Sequence, residues 1–254
     1  MTPIKTVVYG ANGKMGQILC RHLLESQEFE LVFGVDKDPT KYENQFPVFK
    51  NAYEFQGEID LIIDFSHYSN LEALIEYATE KKVPTVIATT GLTENHMDLI
   101  KRAAKKIPLL YSPNMSLGIN ILNSILRQYS RVLSDGFDVE IVEKHHNKKI
   151  DAPSGTAYLL ANTINQALDD SMEFNFGRVG TDCLRNENEI GIHTVRGGSI
   201  SGEHTVIFAG EQEIIEIKHT ALSKDLFAHD ALRASKVLVK KPKGYYTMDD
   251  IYNL

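Results

Sequence analysis

Between residues 4 and 113 the sequence alternates short apolar runs with longer stretches in which apolar residues recur at helical spacing. The apolar runs are IKTVVYG, ELVFGVD, LIIDFS, PTVIATTG and PLLYSP. The intervening stretches predict helices near residues 14–26, 70–82 and 93–106. Strands that are apolar nearly throughout and separated by helices are typical of a parallel sheet covered on both faces. This region therefore predicts a Rossmann-like, doubly wound α/β domain.

After residue 116 the pattern changes. SLGINILNSILRQYSRVL and PSGTAYLLANTINQAL predict helices, and FDVEIVEKHH between them predicts an alternating strand. The later segment HTVRGGSISGEHTVIFAGEQEIIEIKHTAL alternates like strands, is interrupted by GG and SG turns, and holds no crossover helix. We expect a second α+β domain with a mixed or antiparallel sheet. It spans 117–226, and the first domain comprises 1–116 and 227–254, with a last helix near 227–240.

Composition narrows the class of function. A formal charge of −7 argues against a nucleic-acid partner, which needs clustered Lys and Arg. No apolar run approaches the roughly 18 residues that read as a membrane span, and MTPIKTVVYGANG leads into strand and turn without signal-peptide architecture. Cys20 and Cys183 are far apart and form no CxxC pair. These features predict a cytoplasmic protein without a membrane partner.

VVYGANGKMG places Gly10, Gly13 and Gly16 directly after an apolar strand and at the start of a helix. Glycines there permit a tight turn and the close approach of a pyrophosphate to the helix N-terminus. The spacing is GxxGxxG rather than GxGxxG, so a glycine turn without a ligand stays open as an alternative. Asp36, about 20 residues further on, could bind the ribose hydroxyls of NAD, whereas Lys37 could bind a 2′-phosphate. The pair leaves NADH and NADPH both possible.

Small and polar residues follow three other predicted strands, where ligands of doubly wound sheets bind. They are Thr89, Thr90 and Gly91 in IATTGL, Ser112 to Met115 in YSPNMS, and Asp64, Phe65 and Ser66 in LIIDFS. The same residue types are also common turn formers.

EKHHNKKIDAPSGTA gathers two histidines and two lysines ahead of a predicted helix start. Three interpretations compete: a solvated basic patch, a metal site, and a pocket for an anionic substrate. Adjacent side chains on a strand point to opposite faces, so His145 and His146 do not readily ligate one ion, and we expect no metal. The turn DAPSGTA offers hydroxyls and backbone N–H groups at a helix N-terminus, which favours an anion site.

Together these motifs resemble the 4-hydroxy-tetrahydrodipicolinate reductase family, pyridine-nucleotide reductases of lysine and diaminopimelate biosynthesis. The resemblance rests on GANGKMG, ATTG, SPNMSLGIN, EKHHNKKIDAPSGTA and RGGSISGEHTV and runs through nearly the whole chain. It implies that NADH or NADPH reduces 4-hydroxy-tetrahydrodipicolinate, a small cyclic dicarboxylate, to tetrahydrodipicolinate with loss of water. It also implies a homotetramer assembled through the sheets of the second domain.

The resemblance further implies roles for individual residues. His145 would be a proton donor or acceptor, and Lys149 the proton donor. Contacts to the substrate carboxylates would come from His146, Ser154, Gly155 and Thr156. The cofactor would lie on Gly10, Ala11, Asn12, Gly13, Lys14, Met15, Asp36, Lys37, Ala88, Thr89, Thr90, Ser112, Pro113, Asn114 and Met115.

Two positions depart from the commonest family pattern. Ala88 stands where a glycine often precedes Thr-Thr-Gly, and Lys14 stands where arginine is frequent. Both departures bear on cofactor fit and preference and leave the reaction untouched. Four polar residues of the predicted later strands are expected to be structural: His193, Arg196, His204 and His219. Arg196 and Gly197 are further candidates for shaping the substrate pocket.

Two other functions remain as alternatives. A semialdehyde dehydrogenase would need a cysteine nucleophile in the second domain, where only Cys183 is available, in TDCLRNE, without a paired base nearby. A non-catalytic nucleotide sensor would need no proton donor, so the presence of both His145 and Lys149 argues against it.

Overall fold

The computed structural model describes residues 2–254, which divide into two compact units. The first unit consists of the described residues up to Leu117 together with Lys224–Leu254, and the second unit is Gly118–Ser223. The chain therefore leaves the first unit once and returns to it once. None of the helices within residues 2–254 combines the length and apolar character needed to cross a membrane.

Within the described residues, strands and helices are numbered here in chain order. The strands are β1 (Ile4–Tyr9), β2 (Phe29–Val35), β3 (Val48–Phe49), β4 (Leu61–Asp64), β5 (Thr85–Ile87), β6 (Pro108–Tyr111), β7 (Asp138–His145), β8 (Glu173–Asn175), β9 (Glu189–Arg196), β10 (Glu203–Ala209), β11 (Ile214–Thr220) and β12 (Gly244–Tyr246). The helices are α1 (Lys14–Leu24), α2 (Leu71–Lys81), α3 (Glu94–Ala104), α4 (Leu117–Leu133), α5 (Gly155–Ala167), α6 (Asp225–Leu238) and α7 (Met248–Tyr252).

The first unit is built on a seven-stranded sheet in the order β12-β6-β5-β4-β1-β2-β3, in which every pairing is parallel. Both faces of this sheet are covered. Val7 and Ile62 pack on one side in a core that includes Leu74 of α2, and Val8 packs on the other with Leu19 of α1. Burial on both faces explains why these strands are apolar nearly throughout.

The second unit contains a five-stranded mixed sheet in the order β11-β10-β7-β9-β8. β9 pairs in parallel with β7 and β8, whereas β10 pairs antiparallel with β7 and β11. Leu126 of α4 and Leu160 of α5 share a core with Val139 and Ile141 of β7. Side chains alternate along a strand, so Glu143 and His145 lie on the same face of β7 as that core.

The predicted fold class is confirmed: a Rossmann-like parallel sheet and a second, mixed sheet. The sequence pattern missed β3, β8, β12 and α7, because two- to five-residue elements are too short to show periodicity. It also placed the start of the last helix near residue 227, whereas α6 begins at Asp225.

Candidate active site

The glycine turn after β1 is packed so closely that two of its glycines have no room for a side chain. Gly10 has a φ of +75°, and a Cβ there would lie 2.8 Å from the Phe65 carbonyl oxygen. A Cβ at Gly16 would lie 1.9 Å from the Gly10 carbonyl oxygen. The turn is therefore pressed against both the β4 exit and the first turn of α1, which positions the helix N-terminus beside the strand ends.

The N-terminus of α1 is open to a ligand. Gly13 is the N-cap, and within residues 2–254 no side chain caps the helix and its first turn carries no acidic residue. The first backbone N–H groups of a helix have no partner inside the helix, and the helix dipole makes this end positive. The predicted turn residues therefore fit an anionic phosphate group.

Asp36 joins the glycine turn to the loop after β2. One carboxylate oxygen accepts the Asn12 backbone N–H at 2.9 Å, and the other accepts the Asp38 backbone N–H at 3.1 Å. Asp36 and Lys37 line a cavity of about 490 Å³ together with Lys50 and Tyr53. Two lysines thus flank the carboxylate that was predicted to meet the ribose.

A second cavity of the first unit, of about 340 Å³, brings together most of the other predicted cofactor residues. Its lining is Met15, Phe65, Ser66, Ala88, Thr89, Thr90, Pro113, Asn114, Met115, Lys224 and Phe227. The glycine turn, the β4 and β5 exits and the loop after β6 therefore converge, as the carboxyl ends of parallel strands do. Lys224 and Phe227 were missed because they flank the start of α6, far from any strand-end motif.

A buried carboxyl group, Asp64, lies under this convergence of loops. Its side chain accepts the Ser66 backbone N–H at 2.8 Å and lies 2.6 Å from the Thr89 hydroxyl oxygen. The Thr89 hydroxyl is also 3.0 Å from the Ser66 carbonyl oxygen. Burial raises the pKa of Asp64 above the ordinary carboxyl value, and these hydrogen bonds only partly offset that effect. Asp64 thus ties the β4 exit to the β5 exit.

In the second unit, a fully buried carboxylate holds the ring of His145. Glu143, two residues earlier on β7, has no exposed side-chain surface, and its Oε2 lies 2.6 Å from His145 Nδ1. Other donors to the same carboxylate are the Ser154 backbone N–H, the Thr194 hydroxyl and two guanidinium nitrogens of Arg196. Burial alone would raise the pKa of Glu143, but the hydrogen bonds from Arg196, His145 and Ser154 lower it to about 2. Glu143 is therefore ionised.

Ser154 begins the helix that was predicted to bind an anion. Its hydroxyl accepts the Ala157 N–H at 3.1 Å and lies 2.8 Å from His204 Nε2, and only 2% of the residue is exposed. The substrate contact proposed for Ser154 stays a prediction, since its polar groups already serve the N-cap and Glu143. Gly155 is exposed at the start of α5, and the first turn carries no acidic residue in the described chain.

Lys149 and His146 lie in the loop between β7 and α5. The Lys149 ammonium is 2.8 Å from Asp151 Oδ1, and its side chain is 19% exposed. The Lys149 backbone N–H donates to the His146 carbonyl at 3.1 Å. His146 Nδ1 is buried and has no hydrogen-bond partner among residues 2–254. The structure thus gathers His145, Lys149 and the α5 N-terminus in one unit.

Sequence reasoning missed Glu143 and Thr194, expected His204 to be structural, and named Arg196 outside the catalytic residues, as a candidate for shaping the substrate pocket. The ring of His204 contacts that of His145 at a centroid distance of 5.2 Å, and burial lowers the pKa of His204 to about 3. The EKH sequence on a predicted strand could have identified Glu143, because residues two apart on a strand share a face and Glu143 is two residues before His145. Within residues 2–254, no three His, Cys, Asp or Glu side chains are grouped to hold a metal ion.

Comparison with known proteins covers nearly the whole chain. The family model "Dihydrodipicolinate reductase, N-terminus" matches residues 4–115, and "Dihydrodipicolinate reductase, C-terminus" matches residues 118–252. A 4-hydroxy-tetrahydrodipicolinate reductase of Clostridium tetani is 48% identical over 98% of this chain and 97% of its own length. The protein of that name from Caldanaerobacter subterraneus subsp. tengcongensis is also 48% identical, over 98% of both chains.

A solved structure shares the fold. Dipicolinate-bound dihydrodipicolinate reductase from Paenisporosarcina sp. TG-14 superposes with a TM-score of 0.78 at 23% identity, covering 98% of each chain. At that identity the likeness bears on the architecture of both sheets rather than on individual side chains.

Proposed function

Because the chain belongs to the dihydrodipicolinate reductase family, we propose that it reduces 4-hydroxy-tetrahydrodipicolinate to tetrahydrodipicolinate with a nicotinamide cofactor. The resemblance drawn from the sequence motifs is thereby confirmed. The chain is an oxidoreductase of the lysine and diaminopimelate pathway, and the net reaction adds a hydride and a proton to the ring and releases water.

The observation that carries this proposal is the arrangement around the start of α5. His145, with 12% of its side chain exposed, and Lys149, with 19%, are partly accessible and lie close in sequence to the N-terminus of α5, whose first turn carries no acidic residue in the described chain. A helix N-terminus binds carboxylates through its free N–H groups and its dipole. This combination suits a substrate that carries two carboxylates and must exchange protons.

The residues of the second unit would divide the proton chemistry. Burial lowers the pKa of His145, so its ring is mainly neutral near pH 7 and can accept a proton at Nε2. The Lys149 ammonium group would donate a proton to the carbon next to the one that receives hydride. Gly155, Thr156 and His146 would bind the carboxylates, which fixes the ring against both proton-transfer groups.

The first unit fits a nicotinamide dinucleotide. The open N-terminus of α1 suits the pyrophosphate, and Asp36 suits the ribose hydroxyls. When bound, the cofactor supplies the hydride. We propose that both NADH and NADPH are used, because Asp36 favours ribose hydroxyls whereas Lys37 and Lys50 line the same cavity and favour a 2′-phosphate.

One assay tests the reaction. The substrate is generated enzymatically, and the loss of NADH and of NADPH absorbance is followed separately. We expect both to be consumed only when substrate is present. If neither is consumed, the proposed reaction is wrong.

One variant tests the cofactor proposal, and its use of NADH serves as the control for its use of NADPH. Lys37→Ala should weaken the use of NADPH and leave the use of NADH nearly intact, since NADH carries no 2′-phosphate. Initial rates at varied cofactor concentration measure the effect. Equal losses with both cofactors would show that Lys37 does not contact the phosphate.

We also propose a homotetramer assembled through the second sheet. The face of this sheet opposite α4 and α5 exposes apolar side chains, with Val195 43% and Ile214 64% exposed. Exposed apolar strand surface favours pairing with another copy. Light scattering coupled to size exclusion should give four times the chain mass of 28.6 kDa, and a monomer would refute the assembly.

A further inference from the structure

We infer that Glu143 is the positioning residue of this site: it keeps the ring proton of His145 on Nδ1, leaves Nε2 to the substrate, and ties that ring to α5. The inference rests on the proposed function only where it concerns turnover. The protonation of the ring follows from the contacts of Glu143.

The two oxygens of Glu143 carry different donors. Oε1 accepts the Ser154 backbone N–H at 2.9 Å, the Thr194 hydroxyl at 3.1 Å and an Arg196 nitrogen at 2.7 Å. Oε2 accepts the other Arg196 nitrogen at 2.8 Å and faces His145 Nδ1 at 2.6 Å. Since an ionised carboxylate only accepts hydrogen bonds, Nδ1 of His145 must carry a proton. In the neutral ring, Nε2 then has the free lone pair.

The Nε2 side of the His145 ring lies next to Gly202. A Cβ built on Gly202 would lie 3.2 Å from His145 Nε2, which is tighter than an ordinary contact. A side chain at residue 202 would therefore crowd the nitrogen that Glu143 leaves available. Gly202 belongs to the RGGSISGEHTV motif. Its closeness to His145 Nε2 gives a physical reason for a glycine at this position.

The charges around His145 agree with a neutral ring. Lys149, Arg196 and His204 face it in addition to Glu143, and burial together with the two cations lowers the pKa of His145 against the opposing effect of Glu143. His204 is also neutral near pH 7, because burial keeps its pKa at about 3. Glu143 therefore acts by selecting the tautomer of a neutral ring rather than by forming a permanent ion pair.

The same carboxylate reaches α5. The Ser154 N–H bonded to Glu143 belongs to the N-cap residue of α5, whose exposed first residue is Gly155. A shift of the Glu143 carboxylate would thus displace the proton-accepting ring and the carboxylate-binding helix end together. The buried Glu143 carboxylate therefore fixes where the His145 ring lies relative to the N-terminus of α5.

Replacement of Glu143 by glutamine makes a sharp prediction. Oε1 has three donors, whereas Oε2 has one Arg196 nitrogen besides His145, so the glutamine oxygen should keep the Oε1 position and the new NH₂ should take the Oε2 position. There the NH₂ loses the Arg196 hydrogen bond, whose donor nitrogen keeps the Val195 carbonyl, and faces His145 Nδ1. An NH₂ group only donates, so Nδ1 becomes the acceptor and the ring proton moves to Nε2. The ring then presents a donor where the wild type presents an acceptor.

The test combines ring ¹⁵N NMR of histidine-labelled protein with turnover. His145→Asn assigns the His145 signals among the nine histidines by difference. We expect the wild type to show protonated Nδ1 and free Nε2, and Glu143→Gln to show the reverse. Turnover in Glu143→Gln should fall about a hundredfold, the lower end of what a positioned acid or base contributes, with the KM for cofactor unchanged.

A matched control lies on the other face of the same strand. Glu140 also binds an arginine and a histidine, Arg178 and His193, but lies away from His145. Glu140→Gln should leave both the His145 ring signals and the turnover number unchanged. Glu143→Asp, which keeps a carboxylate, should keep the wild-type tautomer.

The outcomes separate the two proposals. A wild-type ring with the proton on Nε2 would overturn the inference even if Glu143→Gln failed to fold. So would a Glu143→Gln protein that retains both the wild-type tautomer and the wild-type turnover. A wild type with the expected tautomer but no consumption of NADH or NADPH would refute the proposed reaction and leave the positioning role of Glu143 standing.

Discussion

Each unit of this protein buries one carboxyl group beside its candidate site, and the two groups are held in opposite ways. Asp64 has as its donors a backbone N–H and a hydroxyl, both neutral, and burial raises its pKa. Glu143 faces Arg196 and His145, and although burial opposes ionisation, these partners lower its pKa to about 2. Both carboxyl groups are buried, so the difference between their hydrogen-bond donors decides in which direction each pKa moves.

The contrast matches what each unit is proposed to do. A group that only joins two loops, as Asp64 joins the β4 and β5 exits, needs hydrogen bonds but no charge. A group that must hold the proton on one nitrogen of a histidine ring has to accept hydrogen bonds and donate none, as an ionised carboxylate does.

The largest expected effect is on the stability of the second unit. Glu143→Ala leaves the Arg196 guanidinium partly buried without its carboxylate, and breaking such a pair costs about 3–5 kcal/mol in free energy of unfolding. Urea denaturation measures the change. Glu58→Ala provides the control, because Glu58 is 88% exposed and solvent screens its pair with Lys5, so its loss should change the free energy of unfolding little. Equal losses in the two variants would contradict the assigned role of Glu143.

Acid should weaken the second unit before the first. The folded pKa values of Glu143 and His204, about 2 and about 3, lie below their ordinary values of 4.5 and 6.5. The unfolded chain therefore binds more protons as the pH falls from about 6.5 towards 2, and the stability contributed by both groups is lost over that range. The contribution of Asp64 to stability changes with pH in the opposite direction, since its raised pKa means that the folded state binds a proton more tightly than the unfolded chain does.

Hydrogen exchange followed by mass spectrometry resolves the two units in such an acid titration. We expect peptides from β7 and β9 to lose protection at a higher pH than peptides from β1 and β4. Simultaneous loss, or earlier loss in β1 and β4, would break the contrast between the two carboxyl groups.

The smallest expected effect is at Asp64. In Asp64→Asn the new amide oxygen can accept the Ser66 N–H while its NH₂ donates to the Thr89 hydroxyl, which then donates to the Ser66 carbonyl. Every polar group keeps a partner and no charge is buried, so the free energy of unfolding at pH 7 should change by less than about 1 kcal/mol. Thermal and urea unfolding check this. A loss as large as that of Glu143→Ala would mean that the charge of Asp64 is needed.

The sequence could predict the first unit better than the second. Its strands are buried on both faces and its ligand residues follow strand ends, so the pattern predicted five strands and the cavity residues at the strand exits, among them Ser66, Thr89 and Met115. Met15 and Ala88 were implied only by the family resemblance. Lys224 and Phe227 were missed because they reach the cavity from α6. In the second unit the motif named His145 and Lys149, but Thr194 and Arg196 come from β9, some 50 residues beyond Glu143. Contacts between distant strands depend on register, which alternation alone does not specify.

We propose that the second unit carries the proton chemistry while the first binds the cofactor. Turnover and cofactor affinity in Lys149→Ala separate these two roles, with Lys148→Ala as the neighbouring control. We predict that Lys149→Ala lowers kcat about a hundredfold, leaves the Kd for NADPH unchanged and keeps the wild-type Tm, while Lys148→Ala behaves like the wild type. A kcat that is unchanged in Lys149→Ala, or that falls only in step with cofactor affinity or Tm, would contradict the claim.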